Sequence, residues 1–115
     1  MTNLWKETIA VLEKHDKTWE DVLWVGGSDF KITKENFEEL ARETNYYEGY
    51  GAQKIASDLR IVGDNFYLER AEYDGSEWWE YRTMPSPSEE ERTVKSLLSV
   101  GIGWETLREI DKGGR

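Results

Sequence analysis

Cysteine is absent from this chain, and histidine occurs once. Without cysteine there is no disulfide framework, no thiolate-ligated zinc site and no thiol nucleophile. Proline occurs twice, at Pro85 and Pro87. No run approaches the roughly 18 consecutive apolar residues of a membrane-spanning helix. The opening Met1-Thr2-Asn3-Leu4-Trp5-Lys6-Glu7 has no basic segment followed by an apolar run, so it does not read as a secretory signal. A cytoplasmic location is the expectation. Bases are scarce too: 15 Lys and Arg stand against 24 Asp and Glu, giving a net charge of −9 and a pI of about 4.7. A protein that binds nucleic acid directly needs clustered cations to neutralise phosphates, so direct nucleic-acid binding is not expected.

Rings are what the chain has in quantity: 6 Trp, 6 Tyr and 3 Phe among 115 residues. High net charge with few apolar groups would indicate disorder. Here the rings, with 9 Leu, 6 Ile and 6 Val, supply the area for a modest core. The length suits a single domain over residues 1–115.

Periodicity locates the elements. Leu4, Trp5, Thr8, Ile9 and Leu12 form one stripe of a helix over about 3–15, capped by Thr2 or Asn3. Val22 to Val25 is a short apolar run before the turn cluster Gly26-Gly27-Ser28-Asp29, and Phe30-Lys31-Ile32 follows, as a hairpin or as the entry to a helix. Thr33 caps a second helix over about 34–44, with Phe37, Leu40, Ala41 and Thr44 on its narrow apolar face. Residues 45–57 carry Tyr46, Tyr47 and Tyr50 with two glycines and no period, which predicts an ordered loop.

The segment 58–83 reads as a three-strand meander. Leu59 to Val62, Phe66 to Tyr73 and Glu77 to Arg82 are strands, joined by turns at Gly63-Asp64-Asn65 and Asp74-Gly75. Asp-Gly favours the two-residue type I′ turn, which needs positive φ at both central positions. That turn sets Ala71 opposite Trp78, Arg70 opposite Trp79, Glu69 opposite Glu80 and Leu68 opposite Tyr81. The other turn sets Ile61 opposite Leu68 and Arg60 opposite Glu69. Alternation then gives a core face of Leu59, Ile61, Phe66, Leu68, Trp79 and Tyr81. The opposite face takes Arg60, Val62, Tyr67, Glu69, Ala71, Tyr73, Trp78, Glu80 and Arg82. Its charges suit cross-strand pairs such as Arg60 with Glu69.

Beyond Met84-Pro85-Ser86-Pro87, Ser88 with Glu89-Glu90-Glu91 predicts a capped helix carrying Val94, Leu97 and Leu98. Trp104, Leu107 and Ile110 predict a last short helix. The expected fold is α+β: a small antiparallel sheet of three to five strands, with its meander over 58–83, packed with N-terminal, middle and C-terminal helices.

The search for chemistry finds no recognisable active site, metal site or cofactor motif. His15 falls at the end of the first helix, where a polar side chain completes the helix rather than catalysing. Gly101-Ile102-Gly103 is too short for a phosphate loop. Glu72-Tyr73-Asp74-Gly75-Ser76-Glu77 has the acids of a calcium loop without its ligand spacing. Charge placement is more telling. Residues 58–83 hold seven acids and three bases, a net −4, and residues 21–57 hold seven acids and four bases, a net −3. The densest acids are Glu35, Glu38, Glu39 and Glu43 on the second helix and Glu69, Glu72, Asp74, Glu77 and Glu80 around the hairpin. Such a face either keeps the protein soluble or meets a basic partner.

The stretch from Leu59 to Pro85, centred on Glu72-Tyr73-Asp74-Gly75-Ser76-Glu77-Trp78-Trp79, resembles a family of small proteins of phages and prophages of Gram-positive bacteria. Lys17-Thr18-Trp19-Glu20-Asp21-Val22 and Tyr47-Glu48-Gly49-Tyr50-Gly51 fit further elements of that family, so the resemblance covers roughly residues 10 to 85. It implies a mobile-element origin and no particular chemistry. Small acidic phage proteins without catalytic motifs are often inhibitors of host defence, such as anti-CRISPR proteins that occupy a basic nucleic-acid groove. The expectation is therefore a non-enzymatic inhibitor of a host defence nuclease. Its partner-binding residues would be Tyr67, Glu69, Glu72, Tyr73, Asp74, Glu77, Trp78 and Glu80. The alternatives are a phage structural or replication accessory module and a ligand-binding domain with a pocket at Tyr46, Tyr47 and Tyr50.

Overall fold

The computed structural model describes residues 1–49, 51–99, 101, 103 and 105–113. The fold is α+β, with a five-stranded antiparallel sheet, a two-stranded sheet and three α-helices among the described residues. Where the sequence reads as one domain, the chain divides into two compact units, Met1–Pro85 and Ser86–Arg115.

In the first unit, β1 (Thr2–Asn3) leads into α1 (Leu4–Lys14). The Asn3 carboxamide accepts the N–H of Lys6 at 3.0 Å, satisfying a donor that the first helical turn leaves unpaired. Leu4, Thr8 and Leu12, at four-residue steps, turn one stripe of α1 inward. A 3₁₀ turn, Trp19–Asp21, brings the chain to β2 (Val22–Gly26), and a tight turn joins β2 to β3 (Lys31–Ile32). The Gly26-Gly27 segment is thus a hairpin. A Cβ at Gly26 would lie 2.7 Å from the Phe30 carbonyl, and one at Gly27 2.7 Å from the Asp58 carboxylate. That carboxylate accepts the Ser28 N–H at 2.8 Å and ties the hairpin to the approach of the next strand.

Helix α2 (Lys34–Glu43) is capped by Thr33, whose hydroxyl accepts the Asn36 N–H at 2.9 Å. Phe37 and Ala41 are buried while Leu40 is exposed, so the inward stripe is narrower than the pattern suggests. Strand β4 (Asn45–Tyr46) then pairs with β1, a two-stranded sheet that residues 45–57 gave no period to announce. The meander follows as β5 (Arg60–Gly63), β6 (Phe66–Tyr73) and β7 (Ser76–Thr83), and the large sheet has the order β3-β2-β5-β6-β7. Every expected cross-strand pair is present, including Ala71 with Trp78 and Ile61 with Leu68. Asp74 at φ 52° and Gly75 at φ 88° form the positive-φ turn that Asp-Gly announces.

A bulge separates the β2–β5 pairs Val22–Gly63 and Trp24–Val62. It explains how four consecutive apolar residues serve two faces: Val22 and Val25 are buried, whereas Leu23 and Trp24 are exposed. The core joins Val22, Val25, Ile61, Phe66, Leu68 and Trp79 of the sheet to Leu4 and Leu12 of α1 and Phe37 and Ala41 of α2. Trp5, Trp19 and Phe37 close one end, with Trp5 edge-on to Trp19 at 5.0 Å. His15 ends α1 through its backbone N–H, and its ring stacks on Tyr81 at 3.8 Å, a contact that its place at the helix end did not indicate.

The second unit contains α3 (Leu107–Gly113). This matches the last short helix expected from Leu107 and Ile110; Trp104, expected to begin it, lies outside the described residues. Ser88 does not start a helix. Its hydroxyl accepts the Glu90 N–H at 3.1 Å in a local turn, and the described residues from 89 to 99 are irregular. Leu97 and Leu98 remain exposed. A helix this short needs a buried stripe to hold it, and a cap with first-turn acids does not replace that support.

Candidate functional site

The hairpin of β6 and β7 places the expected contact residues. Strand alternation sends Tyr67, Glu69, Ala71 and Tyr73 of β6, with Trp78, Glu80 and Arg82 of β7, to the sheet face opposite the core. At the tip, Tyr73 is 77% exposed, and Glu72 and Asp74 flank it in solvent. Trp78 is 36% exposed, and its indole N–H donates to Glu80 at 2.9 Å. Glu69 and Glu80 are half-buried neighbours across the strands. The register places Arg60 opposite Glu69, but Glu69 takes its ion pair from Arg82, at 3.2 Å.

The same face extends across the sheet in rows. Trp24, Val62, Tyr67 and Arg82 stand side by side on β2, β5, β6 and β7. Trp24 is 37% exposed and Val62 is buried between its neighbours. Sequence reasoning assigned Val22 to Val25 to a strand but did not place Trp24 on this face; the bulge that puts it there has no signature in the residue pattern.

Glu77 does not belong to this surface. It is 3% exposed, because odd-numbered residues of β7 point to the core side. Its carboxylate accepts the N–H of Lys54 at 2.6 Å and of Ile55 at 3.4 Å, and it receives the Arg70 guanidinium at 2.8 Å. Arg70 is itself buried. It donates to the Tyr46 hydroxyl at 3.0 Å and lies 3.4 Å from Glu7. Glu7 accepts the Tyr46 hydroxyl at 2.5 Å and the backbone N–H of Trp79 at 2.9 Å. The face of the Trp79 ring lies 4.7 Å from the guanidinium carbon, while its indole N–H donates to Thr8 at 2.8 Å. The Arg70 Nε is the one buried side-chain polar atom without a hydrogen-bond partner among the described residues.

Charge in this cluster is held by mutual contact. Burial alone would lower the Arg70 pKa, but hydrogen bonds to Tyr46 and Glu77 outweigh it, and the guanidinium is held above its ordinary value. The Tyr46 phenol is pushed well above its ordinary value, first by burial and then by its bond to Glu7. Both effects hold Arg70 and Tyr46 in their protonated forms across ordinary pH. The period-two pattern does put Arg70 and Glu77 on the core side with Leu68 and Trp79. Two opposite charges on a core face are the sequence signal for a buried pair.

Tyr46, proposed to line a pocket, is buried in this cluster instead. Tyr50 lies outside the described residues. Among the described residues, no group of three His, Asp or Glu side chains is placed to hold a metal ion, and no helix is long and apolar enough to cross a membrane.

No protein-family model, no curated protein and no solved structure matches the chain.

Proposed function

We propose that this protein is a phage-encoded, non-enzymatic inhibitor of the anti-CRISPR type, which acts in the bacterial cytoplasm by occupying the basic nucleic-acid groove of a host defence nuclease. The observation that carries the reading is the hairpin tip. Tyr73 is exposed there between Glu72 and Asp74, and Trp78 with the half-buried Glu69 and Glu80 stands behind it on the strands. Exposed rings amid carboxylates suit a groove lined with Lys and Arg: the rings anchor the contact, and the acids steer the approach and match its charge. The overall charge of −9 acts in the same direction. The contact set is Tyr67, Glu69, Glu72, Tyr73, Asp74, Trp78 and Glu80, without the buried Glu77.

The test is capture of a nuclease from host lysate on immobilised protein, with washes at low salt and at roughly 0.5 M salt, where the Debye length falls below about 5 Å. A nuclease is retained at low salt and released at high salt. The triple variant Glu72→Lys, Asp74→Lys, Glu80→Lys loses at least about tenfold in retention, since reversed charges now face like charges. Retention of no nuclease, or binding indifferent to the triple variant, overturns the reading.

A second reading, an accessory module that binds another phage protein, is favoured by the row of Trp24, Val62 and Tyr67 away from the acidic tip. It predicts a phage partner lost on Trp24→Ala and no protection in a plaque assay on CRISPR-immune cells.

A further inference from the structure

A different part of the sheet presents unmatched hydrogen-bond donors. β7 is an edge strand of eight residues, and every second residue directs its N–H and C=O away from β6. Those residues are Glu77, Trp79, Tyr81 and Thr83, which sit in the wide positions of the ladder opposite Glu72, Arg70, Leu68 and Phe66. The first two are covered from within the molecule: Glu77 N–H donates to the Glu48 carbonyl at 3.2 Å, and Trp79 N–H donates to Glu7 at 2.9 Å. At Tyr81 this cover stops, and no acceptor meets its N–H among the described residues. An open edge is a template for another strand.

Beside Tyr81 lies a cleft of about 370 Å³ between Val11 and Lys14 of α1, His15 at its end, and Trp78 to Tyr81 of β7. Its charged side chains are Lys14 and Glu80. The Glu80 carboxylate is engaged by the Trp78 indole. Lys14 is in no ion pair among the described residues, and the His15 ring stacks on Tyr81. Backbone N–H, ammonium and imidazole together offer donors and want acceptors.

We infer that the open end of β7 is a strand-addition site for an extended, acidic segment of a partner protein. One carbonyl of the segment accepts the Tyr81 N–H, one of its N–H groups donates to the Tyr81 carbonyl, and an Asp or Glu side chain meets Lys14 and His15 in the cleft. The cleft shares Trp78 and Glu80 with the hairpin surface, and through Lys14 it asks for a segment opposite in charge to the basic groove proposed there.

The experiment is an amide NMR titration of the full chain with the peptide acetyl-Thr-Val-Glu-Val-Thr-amide and with its counterpart carrying Lys in place of Glu. The Glu peptide shifts the Tyr81 amide resonance and slows its hydrogen exchange, and it binds about tenfold more tightly than the Lys peptide. Lys14→Glu weakens the Glu peptide by about tenfold, while the remaining sheet amides keep their positions, which separates lost binding from lost fold. Three outcomes overturn the proposal. The Tyr81 amide is unmoved by either peptide; the two peptides bind equally; or the amide shifts with protein concentration alone, which makes a second copy the occupant.

Discussion

Glu77 shows how one side chain can be indispensable without being accessible. It accepts two backbone N–H groups from the loop before β5 and an arginine from the neighbouring strand. Glu77→Ala leaves the Arg70 charge uncompensated on that side and costs about 3–5 kcal/mol, read from the urea midpoint. The double variant Arg70→Met, Glu77→Gln loses less than the two single changes together, because the Arg70–Glu77 pair goes as a unit and only Glu7 is left without its guanidinium; a double-mutant cycle measures the difference. Tyr46 adds a pH dependence of definite sign. Its phenol is held protonated above its ordinary value of 10. Below that value both the folded and unfolded chains keep the proton, and the contribution is complete. As pH rises past it, the unfolded chain ionises first, so stability falls. The melting temperature of the wild type therefore declines more steeply above about pH 10 than that of Tyr46→Phe, although the variant is the less stable of the two at neutral pH.

The β6–β7 hairpin is legible in the sequence, because each local signal agrees with the others. Asp74-Gly75 fixed the turn, the turn fixed the register, and the register sorted the faces. Gly75→Ala forces a Cβ onto a left-handed residue and costs about 1–2 kcal/mol by thermal denaturation. Gly63→Ala disrupts more, since its Cβ would run into the Phe66 ring at the centre of the core. Three features were not legible, for different reasons. The β1–β4 pair joins residues more than forty positions apart in strands of two residues each, too short to show a period. The β2 bulge depends on how β5 seats against it. The helix expected after Ser88 had its cap and acids but no surface against which to bury Leu97 and Leu98. Of the expected contact residues Glu77 alone is buried, and strand alternation, which sets it with Trp79 on the core side, is the signal that its proximity to the motif obscures.

At the scale of the molecule, charge and packing are separable. The acids of the tip contact solvent, and reversing Glu72 and Asp74 changes the melting temperature by little, within about 0.5 kcal/mol of stability, while changing partner capture strongly. The main hydrophobic core is drawn entirely from residues before Pro85. A chain ending at Pro85 is therefore expected to unfold cooperatively and to keep the hydrogen-exchange protection of the five-stranded sheet.

Glu7 has a consequence in time as well as in space. It joins Trp79, 72 positions along the chain, to Arg70, 63 positions away, and to Tyr46, 39 positions away. The β6–β7 hairpin closes through a two-residue turn, whereas the Glu7 contacts exist only after α1 has met a finished sheet edge. Contacts of such long range are expected to close late in assembly. In stopped-flow measurements Glu7→Gln leaves the refolding rate near the wild-type value and accelerates unfolding, so that this one carboxylate sets how long the native state lasts rather than how quickly it is reached.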